Sequence, residues 1–110
     1  MNRVTLVGNS GSDAELKYTQ GGVAFCKFRL ATNERVKKGE TYETVTEWHN
    51  CVLWGKAAES FAPHIVKGKW FACEGGIRYT QFQGDDGQTR YMTEIHLDSI
   101  EFVGPKQGQR

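Results

Sequence analysis

Two tryptophans in one strand-like stretch, Thr44–Lys56 (TVTEWHNCVLWGK), are the residues best suited to hold a flat ligand. Side chains alternate along an extended strand, so Trp48 and Trp54 point to the same side, together with the polar residues Thr46 and Asn50. Six residues at about 3.3 Å each separate the two rings by about 20 Å, which is too far for the rings to touch. The spacing suits two separate stacking platforms along one extended ligand.

A structural role for both rings is the alternative, because tryptophan is usually well buried. The opposite side of the same strand carries Cys51 and Leu53, which supply apolar material for a core. The tryptophan side carries polar neighbours instead. We therefore expect the two indoles to face solvent.

Length and composition predict one small domain, residues 1–103, of a turn-rich β protein with 13 glycines and only two prolines in 110 residues. Lys and Arg number 14 against 13 for Asp and Glu, so any basic surface must be local. No apolar run is long enough to span a membrane, and the start shows no signal-peptide pattern. We expect a cytoplasmic protein without membrane contact.

The three cysteines, Cys26, Cys51 and Cys73, each lie in a strand-like run and are predicted to be buried free thiols. His49 precedes Cys51 by two residues, which is a weak match to a Cys/His catalytic pair, since a nucleophile needs access and an oriented base. The sequence has no CxxC, HxxxH or GxxxxGK[ST] motif. We expect no enzyme activity, no metal and no cofactor.

Alternation and turn residues predict five strands and one helical segment. The polar stretch Asn33–Glu43 is predicted to be a long mobile hairpin loop between the second and third strands, and Gly104–Arg110 a disordered tail. The predicted strands are Arg3–Gly8 (continued or restarted at Glu15–Thr19), Val23–Thr32, Thr44–Lys56, Lys69–Gln83 and Arg90–Val103. The predicted helical segment is Ala57–Gly68, with Pro63 expected to kink or split it.

Three strands, one helical segment and two further strands match the OB-fold, an all-β, five-stranded Greek-key barrel. Such barrels bind single-stranded nucleic acid or oligosaccharide on the face centred on their second and third strands. Lys27 and Arg29 of the second strand and both tryptophans of the third fall on that face.

Single-stranded nucleic acid offers exposed bases for stacking, worth about 1–3 kcal/mol each, and phosphates for cations. The stacking candidates are Trp48, Trp54 and Phe82. We expect roughly half of the cation candidates to contact ligand, because surface charges are commonly only solvated. Trp70 and Tyr79 could lie in the core or at a subunit interface. The phosphate candidates are Arg3, Lys17, Lys27, Arg29, Arg35, Lys37, Lys38, Lys56, Lys67, Arg78 and Arg90.

The segments NRVTLVGN, FRLAT, TEWHNCVLWGKAAE, VKGKWFACEG and DDGQTRYMTEI resemble the bacterial-type single-stranded DNA-binding proteins, and together they cover nearly all of residues 1–103. The resemblance implies an OB-fold subunit of a homotetramer, with a dimer as the alternative. It implies sequence-independent binding and protection of single-stranded DNA at the nucleoid, during replication, recombination and repair.

The resemblance also assigns roles to individual positions. Trp48, Trp54 and Phe82 match the stacking aromatics of the family, which often has phenylalanine at the second of these positions and tryptophan at the third. Val36 stands where the family has a further tryptophan, so that platform is predicted to be lost. His49 matches a histidine of a subunit contact.

Family members usually end in a Gly-rich linker and an acidic tip that recruits replication and repair proteins. This sequence stops at Gly108-Gln109-Arg110 without an acidic run, which predicts a truncated chain or a tailless, phage-encoded variant without such recruitment. The alternatives are an OB-fold accessory protein of replication restart acting through protein contacts, and an enzyme or sugar-binding OB domain. The two tryptophans favour DNA binding over the accessory role.

Overall fold

A computed structural model describes residues 1–103, and the predicted disordered tail lies outside the described residues. The strands form where the sequence alternates in polarity, and the helix forms in the Ala-rich segment that begins at Gly55. The elements are β1 (Val4–Ser10), β2 (Glu15–Tyr18), β3 (Ala24–Lys38), β4 (Thr41–Trp54), α1 (Gly55–Phe61), a 3₁₀ turn (Ala62–His64), β5 (Trp70–Gln83) and β6 (Thr89–Phe102).

The strands form one sheet in the order β1-β5-β6-β4-β3-β2. The β4–β6 pairing is parallel and short, whereas the other pairings are antiparallel. Asn9 and Ser10 of β1 also pair with β3, which closes β1, β3, β4, β6 and β5 into a barrel. The predicted five-stranded OB-fold with one helix before the fourth barrel strand is confirmed, and β2 is the restarted part of the first strand.

The core fills the barrel with alternate residues of each strand. Cys26, Phe28 and Leu30 of β3 face Cys51 and Leu53 of β4, and all five side chains are buried. Ala58 and Ile65 from the helical connection join the same cluster. The prediction of three buried free thiols is confirmed. Pro63 splits the predicted helical segment. The α-helix ends at Phe61, and a 3₁₀ turn that contains Pro63 follows it.

The prediction of a mobile loop at Asn33–Glu43 is wrong. The β3–β4 ladder continues without interruption to the Lys38–Thr41 pair, and only Gly39 and Glu40 form the turn. Gly39 has a φ of 63°, the conformation that a two-residue hairpin turn requires at its first position. Both faces of this hairpin are polar because neither is buried, so the sequence there lacks the apolar alternation that marks a strand. We call Asn33–Thr46 the first arm.

A second hairpin, formed by β5 and β6, turns at Gly84–Gln88. We call its outer part, Arg78–Glu94, the second arm. β4 and β6 pair only through Cys51–Ile95 and Val52–His96. Beyond these two pairs, the two arms have no strand pairing with each other.

Gly75 marks a register shift between β5 and β6. A Cβ at this position would overlap the carbonyl oxygen of His96 on the neighbouring strand. The close approach lets β5 bend around the barrel, and only glycine permits it.

Gly75→Ala is therefore expected to lower the free energy of unfolding by about 1–3 kcal/mol, because the two strands must separate to admit the methyl group. Gly21→Ala is the matched control, since the nearest atom to its added Cβ is 3.9 Å away, and it should change stability by less than about 0.5 kcal/mol. Urea denaturation of both variants measures the difference. Equal stabilities would contradict the close contact.

Candidate nucleic-acid interface

One outer face of the sheet gathers most of the predicted site residues. Residues paired across strands point to the same side. The register joins Lys17, Phe25 and Trp54 in one row across β2, β3 and β4. On β5 and β6 it pairs Phe82 with Arg90. The contacts of Trp54 with Phe25 and His96 confirm that these rows share one surface, which we call the outer face.

Trp48 and Phe82 line one cleft between the two arms. The cleft has a volume of about 670 Å³, and Asn50, Arg90 and Met92 also line it. The two rings are 48% and 47% exposed, so neither belongs to the core. The Arg29 guanidinium lies 4.7 Å from the centroid of the Trp48 ring. Gly11 packs against the edge of the same ring, where a Cβ would overlap it.

Trp54, which is 40% exposed, is held from two sides. Its ring centroid lies 5.4 Å from that of Phe25 and 5.9 Å from that of His96. The indole Nε1–H donates a hydrogen bond of 3.1 Å to His96 Nδ1. Sequence reasoning missed the role of His96. His96 is placed beside the indole by its pairing with Val52, two residues from Trp54. That pairing can be recognised only once the register of β4 and β6 is known.

A polar chain continues from this tryptophan into the sheet. His96 Nδ1 accepts the indole proton, so the other ring nitrogen, Nε2, carries the hydrogen that Glu94 Oε1 accepts at 3.1 Å. Lys27 Nζ lies 3.0 Å from Glu94 Oε2. Burial raises the pKa of this carboxyl, but the hydrogen bonds from Lys27 and His96 and the charge of Lys27 together lower the pKa below its ordinary value. Glu94 is therefore ionised at neutral pH although it is only 5% exposed.

The eleven predicted phosphate contacts fall into two groups. Five of them lie within 4.0 Å of a carboxylate: Arg3, Lys17, Lys27, Lys38 and Arg90. Among residues 1–103, the other six have no carboxylate within that distance: Arg29, Arg35, Lys37, Lys56, Lys67 and Arg78.

Apart from Lys56, which lies in α1, two of the predicted cations lie outside the strands of the outer face. Arg3 precedes β1 and bonds Asp98, and Lys67 lies between the 3₁₀ turn and β5. The structure therefore does not bring these two together with the aromatic rings. Within residues 1–103, Arg29, Arg35, Lys37 and Arg78 remain as cations without a carboxylate partner on the strands of that face, and Lys56 lies in α1, two residues after Trp54.

The residues left open by the sequence lie outside the core of this chain. Trp70 and Tyr79 are both exposed. His49 lies on the side of β4 opposite Trp48, where its Nε2 is 2.9 Å from Thr32 Oγ1. The hydrogen-bond partner of His49 is therefore Thr32 and not Cys51. The hydrogen bond to Cys73 and burial raise the pKa of the Cys51 thiol, so this thiol is neutral.

Within the described part of the chain, no helix has the length and apolar character needed to cross a membrane. Residues 1–103 contain no group of three or more His, Cys, Asp or Glu side chains that could hold a metal ion.

Replacing Glu94 by Gln is expected to lower the free energy of unfolding at pH 7 by about 1–2 kcal/mol, because the Lys27 and His96 bonds lose their charge. A carboxyl whose pKa is lowered on folding contributes stability above its unfolded pKa of about 4.3, and the contribution is lost as the pH falls through the folded value. The difference between the two proteins should therefore shrink as the pH falls below about 4.3.

Urea denaturation between neutral and acid pH measures this difference. Glu40→Gln, at the exposed turn of the first arm, is the control and should leave stability unchanged within about 0.5 kcal/mol at each pH. A difference between wild type and Glu94→Gln that stays constant across the range would contradict the ionised, buried carboxylate.

The Single-strand binding protein family model matches residues 1–103. The chain is 44% identical over 106 residues to a single-stranded DNA-binding protein of Xylella fastidiosa, and 40% identical over 107 residues to single-stranded DNA-binding protein 3 of Listeria innocua. These alignments cover 94% and 97% of this chain. The chain spans 64% and 66% of the length of these relatives.

Two solved structures share the fold at 24% identity. A Plasmodium falciparum SSB complex with ssDNA matches with a TM-score of 0.85, covering 94% of this chain and 96% of that one. A deletion mutant of the single-stranded DNA binding protein from Thermus aquaticus matches with a TM-score of 0.83, covering 94% and 51%. With the family match over residues 1–103 and relatives above 30% identity, the chain belongs to the single-strand binding protein family.

Proposed function

We propose that this protein binds single-stranded DNA on the outer face of its barrel, without sequence preference and without catalysis. One observation carries the proposal: Trp48, Trp54 and Phe82 are half-exposed rings on one continuous surface that also holds unpaired cations. Membership of the family supports the choice of ligand, as do the names of the relatives.

The rings provide the attraction for the bases. Every base has a π-face, so stacking on Trp48 and Trp54 needs no particular sequence. The cleft between the arms lets a strand pass between Trp48 and Phe82. The hydrogen bond to His96 holds the Trp54 indole in place before the ligand arrives, which lowers the entropic cost of binding.

The cations provide the attraction for the backbone. Arg29, Arg35, Lys37, Lys56 and Arg78 can meet phosphates without breaking an ion pair within residues 1–103, and they release counterions when they do so. Arg29 leaves the Trp48 ring face when a base takes its position, and its guanidinium then lies beside the strand. Lys27 neutralises Glu94, so it contributes less to the ligand.

We further infer that copies of the chain assemble into a homotetramer, with a dimer as the alternative, in the cytoplasm at the nucleoid. There it protects exposed DNA during replication, recombination and repair. The resemblance of the sequence to the family supports this assembly, and His49 is the side chain proposed for a subunit contact.

Titration with oligo(dT) is expected to quench tryptophan fluorescence, and the logarithm of the binding constant should fall with the logarithm of salt by about 0.7 per phosphate contacted. The double variant Trp48→Ala, Trp54→Ala should bind at least about 30-fold more weakly, since each ring contributes about 1–3 kcal/mol. Duplex DNA of the same length should bind weakly.

Trp70→Phe is the control, because it removes an exposed indole from outside the outer face and should leave affinity unchanged. Circular dichroism checks that each variant is folded. Unchanged fluorescence at low salt would contradict the proposal. A double variant that binds like the wild type would favour the accessory role through protein contacts.

A further inference from the structure

The outer face continues beyond Trp48 along the first arm. Every second residue of a strand points to the same face of the hairpin. The face that carries Trp48 therefore also carries Thr46, Thr44 and Tyr42 on β4. Two contacts place β3 side chains on the same face. The hydroxyl of Thr46 donates to Asn33 Oδ1 at 2.6 Å, and the Arg35 guanidinium lies 4.9 Å from the Tyr42 ring centroid.

The arginine–aromatic pair at Trp48 is thus repeated at Tyr42. Arg29 and Arg35 are six residues apart on β3, and Trp48 and Tyr42 are six residues apart on β4. The distance from ring to guanidinium is 4.7 Å in the first pair and 4.9 Å in the second. The distance along the strand from Tyr42 to Trp48 is therefore about 20 Å, the same as the distance from Trp48 to Trp54. Its ring is 58% exposed.

The two faces of the hairpin differ sharply in charge. The face of Trp48 and Tyr42 carries three cations and no carboxylate between Arg29 and Asn50: Arg29, Arg35 and Lys37. The opposite face carries three carboxylates and one cation: Glu34, Glu43, Glu47 and Lys38. Lys38 is bound to Glu43 at 3.4 Å, so its charge is already balanced. A polyanion is therefore attracted to one face of the arm and repelled by the other.

We propose that Tyr42 is a further stacking platform, the third on β4, and that the DNA strand runs from Trp48 up this face of the first arm with Arg35 and Lys37 on its phosphates. Short polar side chains, Thr44 and Thr46, separate the two rings and leave room for the strand between them. The inference rests on the proposed function and extends its site. It also excludes Lys38 from the phosphate contacts, although that residue is adjacent to Lys37.

Fluorescence anisotropy with labelled oligo(dT) of about 8 and about 16 nucleotides tests the extension, since both lengths lie within the range of OB-fold site sizes. Tyr42→Ala should weaken binding of the longer oligonucleotide about fivefold or more and that of the shorter one less than about twofold. Tyr42→Phe keeps the ring and should bind like the wild type. Lys37→Ala should reduce the salt slope by about 0.7, and Lys38→Ala should not change it.

Light scattering records the mass of each variant. The inference is overturned if Tyr42→Ala binds the longer oligonucleotide as the wild type does, or if the two lysine variants have the same salt slope. A change of mass without a change of affinity also overturns it, because the arm would then be a subunit contact.

Failure of the proposed function gives a different result, since the wild type would then bind neither length. If the Trp48→Ala, Trp54→Ala variant weakens both lengths while Tyr42→Ala weakens neither, only the extension fails.

Discussion

The pairing register between β3 and β4 is the constraint on which the rest of this molecule depends. It runs from Phe25–Trp54 at the barrel to Lys38–Thr41 at the tip of the first arm. Because side chains alternate, a slip of one residue would turn one strand over relative to the other, which would either expose Cys26 and Leu30 of β3 or bury both tryptophans of β4. The buried side chains of β3 and the tight turn at Gly39 hold the register, so packing and ligand binding depend on the same pairing.

The same alternation explains how a nearly neutral chain can present a basic surface. With a net charge of +1, the protein separates its charges by face rather than by composition. Carboxylates of the first arm lie on one side and unpaired cations on the other. The exception is Glu94, a buried acid beneath the outer face; its charge is offset by Lys27, and it also accepts a hydrogen bond from His96. That network also holds Trp54, so a buried acid beneath the proposed binding face helps to position an exposed ring.

Much of this could be predicted from the sequence, where apolar alternation is strong. The barrel, the buried cysteines and the solvent-facing side of Trp48 and Trp54 follow from period-two patterning and from element order. The first arm could not be predicted, because a hairpin that is exposed on both faces needs no apolar residues. Its pairing is specified by a glycine turn and by continuity with the buried part of the ladder. The sequence pattern therefore places Tyr42 in a loop, where its alignment with the tryptophans is not visible.

The contacts around Trp54 were hidden for a different reason. His96 and Glu94 lie more than forty residues away along the chain, and only the parallel pairing of β4 with β6 brings them beneath the indole. Likewise, the sequence shows eleven candidate cations but not which of them already have a carboxylate partner. Such partners depend on long-range register, as the bonds of Arg3 to Asp98 and of Lys27 to Glu94 illustrate.

The three indole N–H groups of this chain offer the most direct measurement, because each reports on one place in the structure. In a ¹⁵N–¹H spectrum recorded during titration with oligo(dT), the signals of Trp48 and Trp54 are predicted to move and that of Trp70 to stay in place. Assignment by single replacement with phenylalanine identifies each signal. Movement of Trp70 alone, or of none of the three while DNA is bound, would contradict a binding face centred on β4.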